Sequence, residues 1–386
     1  MSKPVIDANI MHVANKRLDY TAFQALWIPG TTKICAFGSN DSGFGVIQVC
    51  ANTFDAPAIN TSAKGKKRSA TKKPAAENIH LELVSETEKK TQFKSGTFRS
   101  SARTSTLPHL LTGDFEGRVG QWDLNRTEFP LSTFKAHEDV VNCMDGAGAV
   151  SGRPEFVTGC RDGTVKLWDA RQNHKEAAAG GGASASPISN IAPKKGAKGH
   201  DVWCVTMGTS IAGAESGADD LLVAAGYDNG DIRVLDLRMG RPIFEMNIKF
   251  GVCSLEFDRR HGGARSMVAS TLEGTMHTIA VVDGELSCAQ GNWTPLEGIG
   301  MGENGEGSTL WQGKHVPQRP DIFVVTDSDG KIHMFQHGDV KQRIRPLGFC
   351  DFANEGVLSL EFNEDLEGFF VACDLDNQLR MGMLLL

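Results

Sequence analysis

Residues 156–172 read FVTGCRDGTVKLWDARQ, and this stretch decides the fold of the chain. Val165 and Leu167 alternate with polar residues, as the side chains of a half-buried strand do, and a second apolar run precedes residue 161. Between the two runs, residues 161–164 (RDGT) have the composition of a tight turn in which Gly163 takes a positive φ angle. The stretch therefore predicts two antiparallel strands joined by a hairpin.

The polar residues around this hairpin form a known set. His137 lies upstream of the hairpin, Asp162 occupies the turn, and the second strand ends in Trp168-Asp169. A histidine near the start of a unit, an aspartate in the turn and a closing Trp-Asp pair are the signature of a WD-repeat propeller blade. In that fold His137 is expected to reach Asp162, Thr158 and Trp168 through side-chain hydrogen bonds. One blade cannot bury both faces of its sheet, so further copies of the unit are required.

The unit recurs six more times. Residues 111–124 (LTGDFEGRVGQWDL) are nearly a copy and are closed by Trp122, whereas residues 224–237 (AAGYDNGDIRVLDL) keep the turn but place Leu235 where the tryptophan is expected. Looser copies occupy residues 35–49, 269–282, 324–336 and 371–384. The turn residues that mark the last six units are Gly117, Gly163, Gly230, Gly274, Gly330 and Asn377. Three of the five intervals between them are close to the WD-repeat period of about 40–45 residues, and the two longer ones contain low-complexity segments.

The repeats predict an all-β chain, a single seven-bladed WD-repeat propeller spanning residues 1–386. Low-complexity insertions are expected at about 55–78, 173–186 and 298–308. Inner strands are predicted at residues 22–28, 140–144, 202–207, 252–257, 310–316 and 357–362. The last unit lacks an outer strand of its own, and residues 5–13 form an unassigned strand-like run. We therefore expect residues 5–13 to pair with residues 378–386 and close the ring, which removes an exposed sheet edge.

Composition bounds the class of protein. The 386 residues carry a net charge of −7, which argues against a nucleic-acid surface, and the nine cysteines include no C-x-x-C pair. We interpret the cysteines as small buried apolar residues of a reducing compartment rather than as disulfides or zinc ligands. The N-terminal residues contain no apolar core of a signal peptide, and no apolar run is long enough for a membrane span. A cytoplasmic location is expected, with the cilium or flagellum as a second candidate location.

The sequence contains no motif that assembles a catalytic site, and no cofactor or metal site is expected. Residues 327–330 (DSDG) and 374–377 (DLDN) resemble the start of a calcium loop but lack its later ligands, and their place at the repeat turn explains them. His137 and His200 are expected to be structural histidines of the repeats rather than catalytic bases.

Two charged features have alternative interpretations. Residues 64–73 are rich in Lys and Arg, which fits a nuclear import signal or an RNA contact, or else a solvated loop. Asp169 and Arg171, and likewise Asp236 and Arg238, form an x-D-x-R box at the same place in adjacent repeats. Such boxes resemble those of substrate receptors of cullin-type ubiquitin ligases, although a local ion pair would also explain each of them.

Loops after the first and third strands of a blade open on one face of a propeller, and the repeat turns open on the other. The long insertions fall mainly on the first face, so the second is expected to be compact and to carry the main partner contacts. The candidate partner-binding residues flank the turns and the entries to inner strands: Phe115, Arg161, Asp228, Glu138, Asp201 and Leu310. Phe115 and Arg161 rank first, because aromatic and arginine side chains dominate interface energetics.

Several strings are more specific than the repeat signature, among them TGDFEGRVGQWDL, AAGYDNGDIRVLDLR, GVCSLEFDRR and STLWQGKHVPQ. Over residues 20–336 these strings resemble the family of WD-repeat dynein axonemal assembly factors, also called Monad. The resemblance implies a non-catalytic co-chaperone adaptor, a monomer within a larger complex, that works in cytoplasmic preassembly of dynein arms. It implies three partners: a RuvB-like ATPase and prefoldin-like complex, the Hsp90 machinery, and axonemal dynein heavy chains. The alternatives are a cullin-ligase substrate receptor, suggested by the x-D-x-R boxes, and a nuclear or RNA-associated propeller, suggested by the basic insertion.

Overall fold

The computed structural model describes residues 9–54, 79–98, 109–147, 153–171, 186–191, 199–208, 211–212, 221–237, 240–259, 263–282, 284–287, 293–294, 308–338 and 344–385. These residues form 29 β-strands arranged in seven antiparallel sheets, and each sheet is one blade of a propeller. The predicted all-β, seven-bladed WD-repeat fold is therefore confirmed. In the described residues no helix has the length and apolar character needed to cross a membrane.

The first four blades each contain four strands, which follow one another along the chain from the innermost to the outermost. Blade 1 consists of β2 (Thr21–Trp27), β3 (Lys33–Ser39), β4 (Gly45–Phe54) and β5 (Ile79–Lys89). Blade 2 consists of β6 (Phe93–Phe98), β7 (Leu110–Asp114), β8 (Arg118–Trp122) and β9 (Ser132–Lys135). Blade 3 consists of β10 (Val141–Gly146), β11 (Glu155–Cys160), β12 (Val165–Asp169) and β13 (Ser189–Ile191). Blade 4 consists of β14 (Val202–Gly208), β15 (Leu222–Tyr227), β16 (Asp231–Asp236) and β17 (Arg241–Asn247).

The remaining blades follow the same order with two variations. Blade 5 consists of β18 (Val252–Phe257), β19 (Ser266–Thr271), β20 (Met276–Val282) and β21 (Glu285–Ser287), and β22 (Trp293–Thr294) also pairs with β20. Blade 6 consists of β23 (Leu310–Val316), β24 (Arg319–Asp327), β25 (Lys331–Gln336) and β26 (Arg345–Asp351). Blade 7 consists of β27 (Val357–Phe362), β28 (Phe369–Asp374), β29 (Gln378–Leu385) and, as its outer strand, β1 (Asn9–Arg17).

The N-terminal strand closes the ring, but further along the chain than the sequence predicts. The pairing of β1 with β29 runs from Asn9 opposite Leu385 to Arg17 opposite Gln378. The predicted strand at residues 5–13 is therefore shifted: pairing continues to residue 17, and residues 5–8 lie outside the described part of the chain. The shift has a physical reason, because Ile10 and Val13 are the buried residues of this strand and the chain then turns at the buried Leu18.

The turns between the second and third strands share one backbone feature in all seven blades. Each contains a residue in the left-handed region, with φ between +55° and +87°: Gly43, Gly117, Gly163, Gly230, Gly274, Gly330 and Asn377. Six are glycines, for which this region costs nothing, and the seventh is the asparagine that tolerates it best. The sequence-based identification of the last six turn residues is thus consistent with the backbone.

The apolar core lies between the blades rather than in the middle of the disc. Seven clusters of buried residues each join the facing sides of two neighbouring blades, including blades 7 and 1. Between blades 2 and 3, for example, Leu111 and Phe134 pack with Phe156 and Trp168. Every blade therefore depends on both neighbours to bury its sheet, as the single repeat unit required.

A second ring of contacts joins the inner strands. At every junction between blades, a side chain of one inner strand forms a hydrogen bond with the backbone of the next inner strand. Five of these side chains accept from a backbone N–H: Gln24 from Gly96 (3.0 Å), Asp145 from Met207 (2.8 Å), Ser254 from Gly313 (2.8 Å), Gln312 from Leu360 (2.5 Å) and Ser359 from Ala25 (3.1 Å). The other two donate to a backbone carbonyl oxygen: Ser95 to Val141 (2.8 Å) and Cys204 to Val252 (3.5 Å). These bonds satisfy inner-strand backbone groups that would otherwise face the channel.

Candidate interaction surfaces

The repeat network of blade 3 is assembled as a continuous hydrogen-bonded chain. His137 Nε2 lies 2.7 Å from Thr158 Oγ1, and His137 Nδ1 lies 2.8 Å from Thr164 Oγ1. Trp168 donates its indole N–H to Thr158 Oγ1 at 2.9 Å, and Thr164 donates to Asp162 Oδ1 at 2.5 Å. The structure thus brings together His137, Thr158, Asp162 and Trp168, and it adds Thr164, which the sequence analysis missed although it directly follows Gly163.

The proton positions in this chain follow from its two ends. Trp168 can only donate and the Asp162 carboxylate can only accept, so each hydroxyl between them accepts on one side and donates on the other. Thr158 therefore donates to His137 Nε2, and His137 Nδ1–H donates to Thr164. Burial lowers the pKa of His137, although Asp162 opposes this, which keeps the imidazole neutral at neutral pH. The histidine has a structural role, since both of its nitrogens are engaged.

The other predicted network residues lie in different settings. Trp122 donates its indole N–H to Thr112 Oγ1 at 2.8 Å, so blade 2 repeats the tryptophan half of the network. His200 instead has a half-exposed side chain, and its Nδ1 lies 3.2 Å from Asp228 Oδ1. Blade 4 has alanine and leucine where blade 3 has Thr158 and Trp168, so a buried histidine there would find no partners of this kind.

His137, Cys160 and Asp162 form one cluster whose ligand atoms all lie within 4.8 Å of one another. A transition metal would need the Cys160 thiolate and a free imidazole nitrogen. Burial raises the pKa of Cys160 to about 12, and its Sγ lies 3.3 Å from Asp139 O. With both nitrogens of His137 already engaged, we assign this cluster to the repeat network.

The calcium-like turns are closed by their own aspartates. Asp327 is fully buried, and its Oδ1 accepts from the backbone N–H groups of Asp329 (2.9 Å) and Lys331 (2.8 Å). Its other oxygen lies 2.7 Å from His333 Nε2. Asp374 is engaged in a comparable way by Gln378 N–H and by the guanidinium of Arg380. These carboxylates stabilise turns and are occupied by protein donors.

We call the side formed by the seven repeat turns and the connections between successive blades the compact face. On it, the connections pack tightly against the turns: Gly117 O accepts from the N–H groups of Ala136 and His137, and Gly330 O accepts from Phe352 and Ala353. A Cβ atom added to Gly117 would lie 2.3 Å from His137 O, so the turn and the connection leave no space between them. The described loops of the compact face are therefore held in place by backbone hydrogen bonds.

Five of the six predicted partner-binding residues are at least partly exposed on this face. Phe115 is 36% exposed, with its ring 6.0 Å from that of Phe23, and Glu138 is exposed. Between blades 3 and 4, Arg161 Nε lies 3.6 Å from Asp201 Oδ2, and Asp228 lies beside them. Burial and the neighbouring Asp228 raise the pKa of Asp201.

The prediction for Leu310 is wrong. This residue is 1% exposed and packs with Phe323 and Phe335 in the core between blades 5 and 6. It begins an inner strand as expected, but the first residue of such a strand faces the neighbouring blade. The residue that follows it, Trp311, faces the channel instead.

The x-D-x-R boxes differ in what the structure shows of them. Arg171 Nη2 lies 2.7 Å from Asp169 Oδ2, and its Nε lies 3.1 Å from Asp169 Oδ1, a bidentate pair in which the arginine is largely exposed. This is the local ion pair that the sequence analysis weighed against a ligase box. In the second box Asp236 ends β16, and Arg238 lies outside the described residues.

The inner strands surround a central channel of about 580 Å³. In its wall Lys314 Nζ lies 3.0 Å from Glu361 and 3.5 Å from Glu256, so one ammonium group bridges two carboxylates. The side chains that link the blades, such as Gln24 and Gln312, also line it. A polar residue inside an apolar inner strand is the sequence signal that could have identified them.

Comparisons with known proteins agree with this architecture. Residues 128–169 match the family described as WD domain, G-beta repeat. The chain is 32% identical to dynein axonemal assembly factor 10 of Xenopus laevis, over 99% of this chain and 98% of that protein. It is 31% identical to the human protein of that name, over 98% and 96%, and 30% identical to that of Chlamydomonas reinhardtii, over 97% and 96%. The chain therefore belongs to the WD-repeat family of dynein axonemal assembly factor 10.

Proposed function

We propose that this protein is a non-catalytic scaffold that acts in the cytoplasmic preassembly of axonemal dynein arms. The observation that carries the proposal is the identity of about a third to proteins named as dynein axonemal assembly factors, which extends over nearly the whole of both chains. The alignment includes all seven blades, so the scaffold as a whole is shared rather than one repeat.

The architecture suits a scaffold. The seven blades bury their sheets against one another, and backbone hydrogen bonds fix the turns of the compact face. The surface is therefore rigid, and binding a partner does not incur the entropy cost of ordering its residues. A dynein heavy chain is large and has many domains, so it exposes apolar surface while it folds. A rigid disc that holds such a client next to a chaperone meets this need without chemistry of its own.

The environments of two cysteines and two histidines support the proposal that the protein is not a catalyst. Burial raises the pKa of Cys253 and Cys373 to about 12, which suppresses the thiolate form at neutral pH. Burial lowers the pKa of His277 to about 4, and the neutral His137 is fixed between two threonines. His277 likewise lies beside a threonine of its own repeat turn, with its Nε2 3.3 Å from Thr275 Oγ1.

We further propose that the scaffold connects dynein heavy chains to a RuvB-like ATPase and prefoldin-like complex and to Hsp90. Affinity purification of the tagged protein from a ciliated cell, followed by mass spectrometry, should recover both the chaperone subunits and the heavy chains. Recovery of cullin-ligase subunits in their place would favour the substrate-receptor alternative suggested by the x-D-x-R boxes.

The decisive experiment is disruption of the gene in a flagellated cell. We expect viable cells with immotile or poorly motile flagella, loss of dynein arms in electron micrographs of axoneme cross-sections, and a reduced amount of heavy chain. Re-expression of the wild-type protein is the control for specificity. Normal arms together with a normal amount of heavy chain would refute the proposed role.

A further inference from the structure

The seven inner strands share a feature that the sequence repeats do not reveal. In each of them the pairing with the second strand shifts by one residue immediately after the first pair or two, which leaves one residue as a β-bulge. The seven bulged residues, in blade order, are Phe23, Lys94, Asn142, Trp203, Cys253, Trp311 and Leu358. All are partly exposed, and six of them, all but Phe23, line the channel near its mouth at the compact face. We call them the bulge ring.

The bulge ring is dominated by large apolar side chains. Four of its seven members are Phe23, Trp203, Trp311 and Leu358, although this is a position that the fold exposes in every blade. The ring of Trp203 lies against Gly251 in the connection between blades 4 and 5, where an added Cβ would be 2.7 Å from it. Lys94 Nζ lies 4.7 Å from the centroid of the Phe23 ring. Concentrated aromatic side chains at a concave mouth are typical of a protein-binding hot spot.

The loops around the bulge ring are strongly acidic. The described turns and connections of the compact face hold three basic residues, Lys90, Arg161 and Lys249. They hold twelve acidic ones: Asp19, Asp41, Glu116, Glu138, Asp139, Asp162, Asp201, Asp228, Glu273, Asp329, Glu355 and Asp376. Residues 192–198 and 295–307, which lie outside the described part of the chain, carry three lysines and three glutamates and so have no net charge together.

The opposite face has no such excess in the part of the chain that the structure describes. Its loops there hold six acidic residues (Asp123, Glu128, Asp258, Glu364, Asp365 and Glu367) and five basic ones (Arg126, Arg153, Arg171, Arg259 and Arg265). Among the described loops, the acidic excess therefore lies on the face that also carries the apolar bulge ring. The two properties together define the chemistry of a ligand.

We propose that the mouth of the channel at the compact face binds a basic, extended segment of a protein partner, with a large apolar side chain seated in the bulge ring and flanking Lys and Arg side chains against the acidic loops. An apolar anchor accounts for the four large residues of the ring, and the flanking charges account for the acidic excess around it. The inference is independent of the role in dynein assembly, because it concerns which segment is bound and is tested on the purified protein.

The test uses three short fluorescein-labelled peptides and the full-length protein. In the first, lysines and arginines flank a central phenylalanine; in the second, glycine replaces the phenylalanine; in the third, glutamates replace the basic residues. Fluorescence anisotropy should show saturable binding of the first peptide, weakened by added salt, and affinity lower by about tenfold or more for each of the other two. Equal affinity for the first and second peptides, or no binding of the first, would overturn the proposal.

Matched variants locate the site. Glu138→Lys, Glu273→Lys and Glu355→Lys together reverse three exposed charges on the compact face and should weaken binding of the first peptide by about tenfold or more. Glu128→Lys, Glu285→Lys and Glu367→Lys make the same change in net charge at the opposite face and should leave the affinity within about twofold. Equal weakening by both triple variants would mean that net charge alone attracts the peptide, and would refute a defined site.

The apolar part is tested in the same way. Trp203→Ala and Trp311→Ala should each weaken the first peptide and leave the second nearly unaffected. Phe129→Ala, which removes an 81% exposed aromatic side chain at the opposite face, is the control. Thermal unfolding of each variant checks that it is folded. If a tryptophan variant does not fold, the triple charge variants still test whether the peptide binds at the compact face. Unchanged affinity in both folded tryptophan variants would overturn the assignment of the bulge ring.

Discussion

Deletion of residues 1–17 should destabilise the whole propeller, because β1 is the only outer strand that blade 7 has in the described part of the chain. The strand buries Ile10 and Val13, which are 5% and 7% exposed. Full burial of such a side chain contributes about 1.5–3 kcal/mol, so the two together contribute about 3–6 kcal/mol. This is a large part of the roughly 5–15 kcal/mol by which most domains are stable.

The assay is the midpoint of urea and thermal unfolding, followed by circular dichroism, for the full chain and for two truncations. Deletion of residues 1–8 leaves β1 whole, so the difference between the two truncations isolates the contribution of the strand itself. Deletion of β1 also exposes the edge of β29. The one charged residue of β29, Arg380, has a side chain that is 12% exposed and is paired with Asp374. The longer truncation should therefore self-associate in light scattering. Equal unfolding midpoints for the two truncations, with both proteins monomeric, would refute the closure argument.

Three further predictions follow from single contacts. Thr158→Val keeps the shape of the side chain but leaves the buried indole N–H of Trp168 and the imidazole of His137 without their partner. The free energy of unfolding measured in urea should fall by about 1–3 kcal/mol, compared with less than about 0.5 kcal/mol for the control Thr133→Val at a half-buried position. Burial lowers the pKa of His277 to about 4, so between about pH 6.5 and pH 4 the unfolded chain binds a proton that the folded chain does not. The stabilisation should therefore be complete above pH 6.5 and should decrease as the pH falls towards 4. The variant His277→Gln should show a smaller decrease. Ser359→Ala leaves the Ala25 N–H at the junction of blades 7 and 1 without its 3.1 Å acceptor, and should lower the unfolding free energy by about 1–3 kcal/mol; an unchanged value would mean that water replaces the hydroxyl.

The turns were the most predictable part of the fold. A residue that must adopt a positive φ angle is nearly always glycine or asparagine, so Gly163 and Asn377 mark their turns by residue type alone. The apolar inner strands were also predictable, with one exception. The inner strand of blade 2, Phe93–Phe98 (FKSGTF), has apolar residues only at its two ends, and its serine forms a bond to the next blade that alternation does not reveal.

The candidate site was less predictable, because exposure depends on a local shift of register. The position of Leu310 near the compact face was correct, but its direction was not, since the bulge that follows it turns Trp311 rather than Leu310 towards the channel. The bulge ring was missed for the same reason, as a bulge has no residue-type requirement comparable to that of a left-handed turn. That His200 takes no part in a repeat network could have been predicted from the sequence, because alanine and leucine stand where its partners are expected in blade 4.

The fold does not depend on the WD motif in most blades, and this bears on how the disc can serve as a scaffold. In the described residues only blade 3 contains the full chain from Trp168 to Asp162, whereas the left-handed turn and the bond between inner strands occur throughout the ring. The residue two positions before the turn residue donates its backbone N–H to the connection that enters the blade in blades 2 to 7, a bond that does not depend on the type of its side chain. This position holds apolar residues in blades 2, 5 and 7, charged ones in blades 1, 3 and 4, and a serine in blade 6: Phe115, Leu272, Leu375, Asp41, Arg161, Asp228 and Ser328. Apolar and charged side chains are thus interleaved around the compact face, so the side chains available to a partner vary from blade to blade while the backbone hydrogen bonds that fix the turns do not.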